Sequence, residues 1–240
     1  MNSRSWSESG SRGLSVGNAA SPSEQLFTPF AIVAALVFAA APVVIAEAPY
    51  ESTMLLIQKI FYFHVPSWIA LTAALSVCGA ASALYLFRGS VLADHFAVAG
   101  AELAALFGAC GLVSGSLWAR KAWGVWWEWD AKLTMTLMLE LVLVGYLLVR
   151  KYGGPGAERL AAGMGIFGTV TAPFIYKSVD WWRTIHPKTS VIPTLEPSMY
   201  GPLLFCAVAF ALLFALLLAL RVDLEIARAR LDRLFLENEG

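Results

Sequence analysis

Six long apolar runs, separated by short polar segments, dominate the pattern of the chain. They cover residues 27–46, 65–87, 96–118, 133–149, 160–176 and 200–220. Each is close to the roughly 20 residues that a helix needs to cross the hydrocarbon core of a bilayer. Because backbone polar groups cannot stay unpaired in lipid, each run is predicted to be a helix. The pattern therefore predicts an all-α, polytopic membrane protein with six transmembrane helices in contact with lipid.

Composition agrees with this class. Of the 240 residues, 58% are hydrophobic and only 14% are charged, which leaves too little polar surface to cover a soluble fold. The net charge is zero, so nothing suggests a nucleic-acid partner. The three cysteines all lie inside apolar runs and form no Cys-x-x-Cys pair, which is typical of small buried apolar side chains.

The two ends of the chain differ from its middle. Residues 1–25 are rich in serine and glycine and predict a disordered cytoplasmic tail. The first apolar run is longer than the core of a signal peptide, so it is predicted to be retained as a span, which gives a six-helix domain over 26–220. Residues 221–240 are amphipathic at helical spacing. This cytoplasmic tail either lies on the membrane, docks a partner helix, or continues the last span.

An even number of spans puts both termini on one side of the membrane. Lys and Arg are more numerous on that side, so the termini are predicted to be cytoplasmic. The opposite side nevertheless carries an appreciable number of basic residues. An anionic ligand on that side would explain them.

Three loops must then share the non-cytoplasmic face. The first ends at His64, the second is Trp123-Gly124-Val125-Trp126-Trp127-Glu128-Trp129-Asp130, and the third contains His186. The remaining histidine, His95, falls on the cytoplasmic side. Four tryptophans within eight residues exceed what membrane anchoring needs, although an aromatic belt at the interface is the simpler alternative.

Local spacing predicts how these loops present their side chains. If the tryptophan segment is helical, Trp123, Trp126, Trp127 and Asp130 lie at i, i+3, i+4 and i+7, which gives one flat aromatic face. A helical turn in the third loop would stack Trp182 on His186. Pro66 suits the first turn of the second span, with His64 just before it. Asp130 is placed to cap the fourth span.

Two neutral imidazoles on separate segments, facing an aromatic wall, suit the axial ligands of a haem iron. The two propionates of a haem need cations, and arginine binds a carboxylate best because it does so in bidentate fashion. The loops of this face carry six candidates: Arg120, Lys121, Lys132, Lys177, Arg183 and Lys188. Zinc fits less well, because only two nitrogen ligands converge and no cysteine is near them.

Two carboxylates and three glycines lie inside predicted spans. Glu102 is close enough to the cytoplasmic edge to reach water, whereas Glu140 is deeper and is the better candidate for a functional or inter-helix role. The glycines Gly108, Gly111 and Gly115 predict close helix packing.

Trp123-Gly124-x-Trp126-Trp127-x-Trp129-Asp130 resembles the WGxWWxWD signature of the haem-handling membrane proteins of cytochrome c maturation. Six spans, the short length, and the His-Val-Pro and Trp-Trp-x-Thr-x-His segments are similar to the CcmC branch, haem exporter protein C. The resemblance runs from about the first span to the last. The chain departs from the family pattern at Ser67-Trp68, at Glu128 and at Arg183.

The resemblance implies that His64 and His186 are the two external histidines of the family and that the tryptophan segment is its haem-binding loop. It implies a multi-pass protein of the bacterial inner membrane with its haem site facing the periplasm. The cargo would be haem b, passed to a CcmE-like haem chaperone. The other implied partners are a CcmD-like small membrane protein and CcmA/CcmB ABC-transporter subunits.

The predicted site combines both lines of reasoning. It has His64 and His186 as iron ligands, and as further haem-binding residues Trp123, Trp126, Trp127, Trp129, Asp130, Trp182, Arg120, Lys121 and Arg183. On this hypothesis the protein is not an enzyme. It holds haem while a nucleophilic side chain of its partner attacks a vinyl group, a contribution of positioning.

Two other classes compete with this hypothesis. A b-type electron-transfer cytochrome commonly pairs histidines within helices at membrane depth, and fast redox exchange with a quinol would favour it. A secondary transporter could use Glu140 as its ion-coupling group, but it would need internal repeats, and the sequence has none.

Overall fold

The structure, a computed structural model, describes residues 22–51, 54–187 and 192–239. Over this part of the chain it consists of helices and loops, with one isolated β-bridge between Glu51 and Leu55. The six long helices are α1 Pro22–Glu47, α2 Phe61–Arg88, α3 Val91–Ala122, α4 Ala131–Tyr152, α5 Ala157–Trp181 and α6 Pro197–Glu239. Short 3₁₀-helices, Leu56–Ile60 and Ile192–Thr194, precede α2 and α6. The all-α prediction is confirmed, whereas nearly all of the predicted N-terminal tail lies outside the described residues.

Among the described residues, five helical segments are long and apolar enough to cross a membrane: Leu26–Glu47, Leu56–Arg88, Val91–Ala122, Ala131–Tyr152 and Pro197–Asn238. They match five of the six predicted spans. The remaining predicted span, 160–176, corresponds to α5, whose 25 residues would reach about 37 Å. Glycines and threonines in its middle, and charged residues at both of its ends, leave α5 without an apolar stretch like those of the other five segments.

Large apolar side chains stay exposed along these helices. Examples on α3, α4 and α6 are Leu106, Leu141, Leu148 and Leu204, each close to or above half exposed. In water, a continuous apolar surface of this kind would drive aggregation. Since the same helices qualify as membrane spans, these side chains are expected to face lipid.

Helix α2 lies at the centre of the bundle and packs against α3, α5 and α6. Its contact with α3 is close because Gly100 has no side chain. A Cβ at that position would lie 2.7 Å from the backbone nitrogen of Cys78 and 2.9 Å from the carbonyl oxygen of Ala74. Leu71 and Leu75 of α2 are buried in the main core cluster beside this contact.

Helix α2 begins four residues before the predicted start of the second span. Phe61 and Tyr62 are almost fully buried, and the ring of Phe61 packs edge-on to that of Trp118, with centroids 6.1 Å apart. Burial of these two rings extends the helix in the N-terminal direction, so that it begins before His64, which is 7% exposed. The prediction that Pro66 lies in the first turn is therefore wrong, since it is the sixth residue of α2.

Helix α6 continues through the predicted C-terminal tail without a break. Its 43 residues would reach about 65 Å, twice the thickness of the hydrocarbon core. Just past the predicted end of the last span, Arg221 forms ion pairs with Glu102 of α3 and Glu225 of α6. Glu102 therefore has a cationic partner on a neighbouring helix.

Candidate functional site

A cavity of about 640 Å³ lies at one end of the helix bundle. It is enclosed by the first half of α2, the ends of α3 and α5, the start of α4, and the two loops that follow α3 and α5. Its volume is within the range of pockets that bury a drug-sized ligand. Its lining is mostly apolar and includes seven aromatic residues: Phe61, Trp68, Trp118, Trp123, Trp126, Trp127 and Tyr176.

Two histidines line this cavity from different elements. His64 projects from α2, and His186 lies in the loop after α5, 122 residues further along the chain. The third histidine, His95, lies in the first turns of α3, at the opposite end of the bundle. The structure thus brings together the two histidines that the alternation of spans assigns to one face.

Hydrogen bonds orient the His64 imidazole. Its Nδ1 lies 3.0 Å from Oγ of Ser114, and that hydroxyl lies 2.7 Å from the carbonyl oxygen of Cys110, to which it donates. Since the serine proton is used on the backbone, the network assigns the imidazole proton to Nδ1 and leaves the lone pair on Nε2. An Nδ1–H held in this way is the usual arrangement of a metal-binding histidine.

The lone pair on His64 Nε2 has a partner within the protein. The indole N–H of Trp68, one turn along α2, donates to it over 3.0 Å. Trp68 is half-buried and also lines the cavity.

Two glycines of α3 make room for these rings. A Cβ on Gly111 would lie 2.6 Å from Cε2 of Trp68, and a Cβ on Gly115 would lie 3.0 Å from Cε1 of His64. At Gly108, a Cβ would overlap the carboxylate of Glu140. All three predicted packing glycines therefore lie against polar or aromatic side chains of neighbouring helices.

The His186 imidazole is held by a hydrogen bond at one of its two nitrogens. Its Nδ1 donates to the carbonyl oxygen of Pro187 over 2.8 Å, which leaves the lone pair on Nε2. Burial lowers the pKa of His186 below its ordinary value, and the nearby Lys132 cation acts in the same direction. The imidazole is therefore neutral at pH 7, the form that binds a metal.

Asp130 joins the tryptophan segment to the His186 loop. Its Oδ1 accepts the backbone N–H of Leu133 over 2.8 Å, so it caps α4 as predicted. Its Oδ2 accepts the Thr184 hydroxyl and, over 3.1 Å, the backbone N–H of Ile185. The backbone N–H of His186 donates in turn to Thr184 Oγ1. One carboxylate therefore fixes both the start of α4 and the backbone beside His186.

The tryptophan segment is an irregular loop, so the prediction of a helix there is wrong. Helix α3 ends at Ala122, and Gly124 adopts a left-handed φ of +78° that stops it from continuing. Trp123, Trp126 and Trp127 line the cavity, although they do not form a helical face. Trp129 is not among the lining residues, and its side chain is 75% exposed.

The predicted stacking of Trp182 on His186 is also wrong. Helix α5 ends at Trp181, and Trp182 is extended, with φ −126° and ψ 157°. Its ring packs edge-on to Trp181, with centroids 5.8 Å apart, and is 53% exposed. Because the helical turn is absent, the i, i+4 relation between Trp182 and His186 has no structural effect.

The predicted propionate-binding cations lie mostly outside the cavity. Arg120, Lys121 and Arg183 are exposed and are not among the residues that line it. Arg120 donates to the carbonyl oxygen of Gly124 and lies over the ring of Trp126, 5.9 Å from its centroid. Lys132 does line the cavity, and its amine donates to the carbonyl oxygen of Ile175 over 3.1 Å.

Trp68 and Ser114 were not predicted as site residues. The i, i+4 relation between His64 and Trp68 is a sequence signal that could have found Trp68. It becomes usable only when the helix is known to begin before His64. Ser114 lies inside an apolar run, and nothing in its neighbourhood distinguishes it from a serine that bonds to its own helix backbone.

The fold and the cavity define a polytopic α-helical membrane protein with an aromatic ligand pocket at one end of its bundle. The family model for CcmC, heme exporter protein C, matches residues 15–237. The chain belongs to this family. It is therefore a transmembrane protein of haem transport in cytochrome c biogenesis.

Individual relatives agree with this assignment. The heme exporter protein C of Bradyrhizobium diazoefficiens is 40% identical over 183 residues, which cover 73% of this chain and 69% of that protein. The Escherichia coli protein of the same name is 33% identical over 171 residues, 68% of each chain. A ccmC-like mitochondrial protein of cytochrome c biosynthesis from Arabidopsis thaliana is 30% identical over 173 residues, 70% of this chain and 66% of that protein.

Proposed function

We propose that the cavity binds haem b as cargo, with its iron between His64 and His186. The observation that carries this proposal is the presence of two histidines from distant elements in the wall of one aromatic cavity. Each has its Nδ1 engaged on protein oxygen, so each retains a lone pair on Nε2. Trp123, Trp126 and Trp127 would pack against the porphyrin.

The propionates would point toward the cationic rim of the cavity. Lys132 is the candidate inside the cavity, and Arg120 lies beside Trp126 at its edge. Lys121, Arg183, Trp129 and Trp182 are exposed, so their contribution would be to the surface around the opening. An exposed aromatic and basic rim suits contact with a partner that receives the haem.

The proposed orientation has six spans, namely the five apolar segments and α5, and both termini in the cytoplasm. The cavity then faces the periplasm at the inner membrane of a bacterium. Helix α5 packs against α2 and α4, so only its outer face, which carries the exposed Leu160, Phe167 and Val170, needs to be apolar. The domains are a cytoplasmic tail over 1–25, the transmembrane haem-handling domain over 26–220, and a cytoplasmic helical tail over 221–240.

In this position the protein would present haem to a CcmE-like chaperone, whose side chain attacks a vinyl group. The chain itself would supply positioning and no bond-forming residue. A CcmD-like small membrane protein and CcmA/CcmB-like ABC-transporter subunits are the other proposed partners. The open rim beside Trp129 and Trp182 supports access by a periplasmic partner.

Replacement of either histidine tests the proposal. His64→Ala and His186→Ala are each expected to change the Soret absorption of purified, haem-loaded protein, because each removes one axial ligand. His95→Gln is the matched control, since His95 lies at the other end of the bundle, and its spectrum should equal that of the wild type. Soret spectra unchanged in both alanine variants would contradict the axial role.

A further inference from the structure

The hydrogen bond from Trp68 to His64 occupies the atom that must bind iron. The neutral imidazole has one lone pair, on Nε2, because the proton on Nδ1 is directed to Ser114. That lone pair cannot accept the indole N–H and coordinate iron at once. Trp68 and a bound metal are therefore alternative partners of the same nitrogen.

The packing around Trp68 favours its contact with His64. Its indole fits against Gly111, where a Cβ would lie 2.6 Å from the ring, and the His64 ring fits against Gly115. The two rings meet edge-on, with centroids 5.9 Å apart. Because Trp68 also lines the cavity, its ring lies beside the space that haem would occupy.

We propose that Trp68 is an internal competitor of haem iron for His64, and that it makes the axial bond exchangeable. This inference rests on the proposed function. The indole N–H satisfies the lone pair in the absence of haem and re-forms its bond as haem leaves. The competitor lowers the net free energy gained when His64 binds iron. A protein that passes its haem on needs this more than a protein that stores haem.

Trp118 provides a matched control on the same histidine. Its ring also lies edge-on to His64, with centroids 6.0 Å apart, and it also lines the cavity. Its indole nitrogen, however, is buried without a hydrogen-bond partner among the described residues. Trp118→Phe thus changes a neighbouring indole and leaves the His64 lone pair bound to Trp68.

The experiment measures haem dissociation from purified protein into excess apomyoglobin. Trp68→Phe is expected to slow dissociation about fivefold, the value of one hydrogen bond. Trp118→Phe also removes an indole from the cavity wall but frees no lone pair on His64, so it should not slow the release of haem. Trp68→Leu should behave like Trp68→Phe, since both lack the N–H. In haem-free protein labelled with ¹⁵N-histidine, the Nε2 resonance of His64 should shift in both Trp68 variants and not in Trp118→Phe.

Each outcome decides between the alternatives. Faster release from Trp68→Phe would mean that the indole holds haem by packing, and it would overturn the competitor role. A rate or an Nε2 resonance equal to that of Trp118→Phe would overturn it as well. If His64→Ala leaves the haem spectrum unchanged, the proposed function fails and this inference falls with it. If His64→Ala changes the haem spectrum but Trp68→Phe leaves the haem dissociation rate unaltered, the competitor role is wrong and the proposed function stands.

Discussion

Asp130→Ala is expected to lower haem retention about a hundredfold or more. The carboxylate accepts the hydroxyl of Thr184 and the backbone N–H of Ile185, and these bonds hold the loop that carries His186. Hydrogen bonds to a charged group contribute about 1.5–3 kcal/mol each, and 1.4 kcal/mol corresponds to a factor of ten. The measurement is the haem content of protein purified from membranes at a fixed haem supply.

Two further variants separate this role of Asp130 from its cap on α4. Serine is as good an N-cap as aspartate, but its side chain is too short to reach Thr184 as well. Asp130→Ser should therefore lose haem as Asp130→Ala does, while α4 stays capped. The exposed Glu128 supplies a control, since Glu128→Ala removes a neighbouring charge and should retain haem. Full haem retention in Asp130→Ser would show that the cap alone matters.

Gly100→Ala is expected to destabilise the helix bundle by about 1–3 kcal/mol. The new Cβ would meet the backbone of Cys78 at 2.7 Å and of Ala74 at 2.9 Å, and backbone atoms of a buried helix cannot move aside locally. Helix propensity alone would favour alanine by about 1 kcal/mol, so a net loss of stability reports the α2–α3 contact. Thermal denaturation in detergent measures the change.

Gly163→Ala on α5 is the control for this substitution. A Cβ on Gly163 meets no atom within 4 Å, so propensity should act alone and the midpoint should stay equal or rise. An equal midpoint in Gly100→Ala would contradict the close approach of α2 to α3. Since Gly100 lies in the half of α3 away from the cavity, its effect on the haem spectrum should follow from stability only.

The hydrophobic pattern predicted the helices well because membrane spans need long apolar runs whatever their neighbours are. It failed at their ends. His64 interrupts the apolar pattern, so that pattern predicts a second span that begins after it, whereas burial of Phe61 and Tyr62 extends α2 by four residues. That error hid the one-turn spacing between His64 and Trp68.

The loops could not be predicted in the same way. Alternation of spans puts His64, the tryptophan segment and His186 at one end of the bundle, but it says nothing of their backbone. Gly124 takes a left-handed φ, which stops α3, and the tertiary bonds of Asp130 then order the segment beyond it. Helical periodicity therefore described neither the tryptophan segment nor the turn around Trp182.

Pulsed electron paramagnetic resonance on ferric, haem-loaded protein labelled with ¹⁵N-histidine tests the axial roles of His64 and His186 most directly. Two coordinated histidine nitrogens are expected in the wild-type protein. One is expected in His64→Ala and one in His186→Ala, because each variant lacks one of the two labelled ligands. Two coupled histidine nitrogens in either variant would show that the iron is held elsewhere, and the account of the cavity would be wrong.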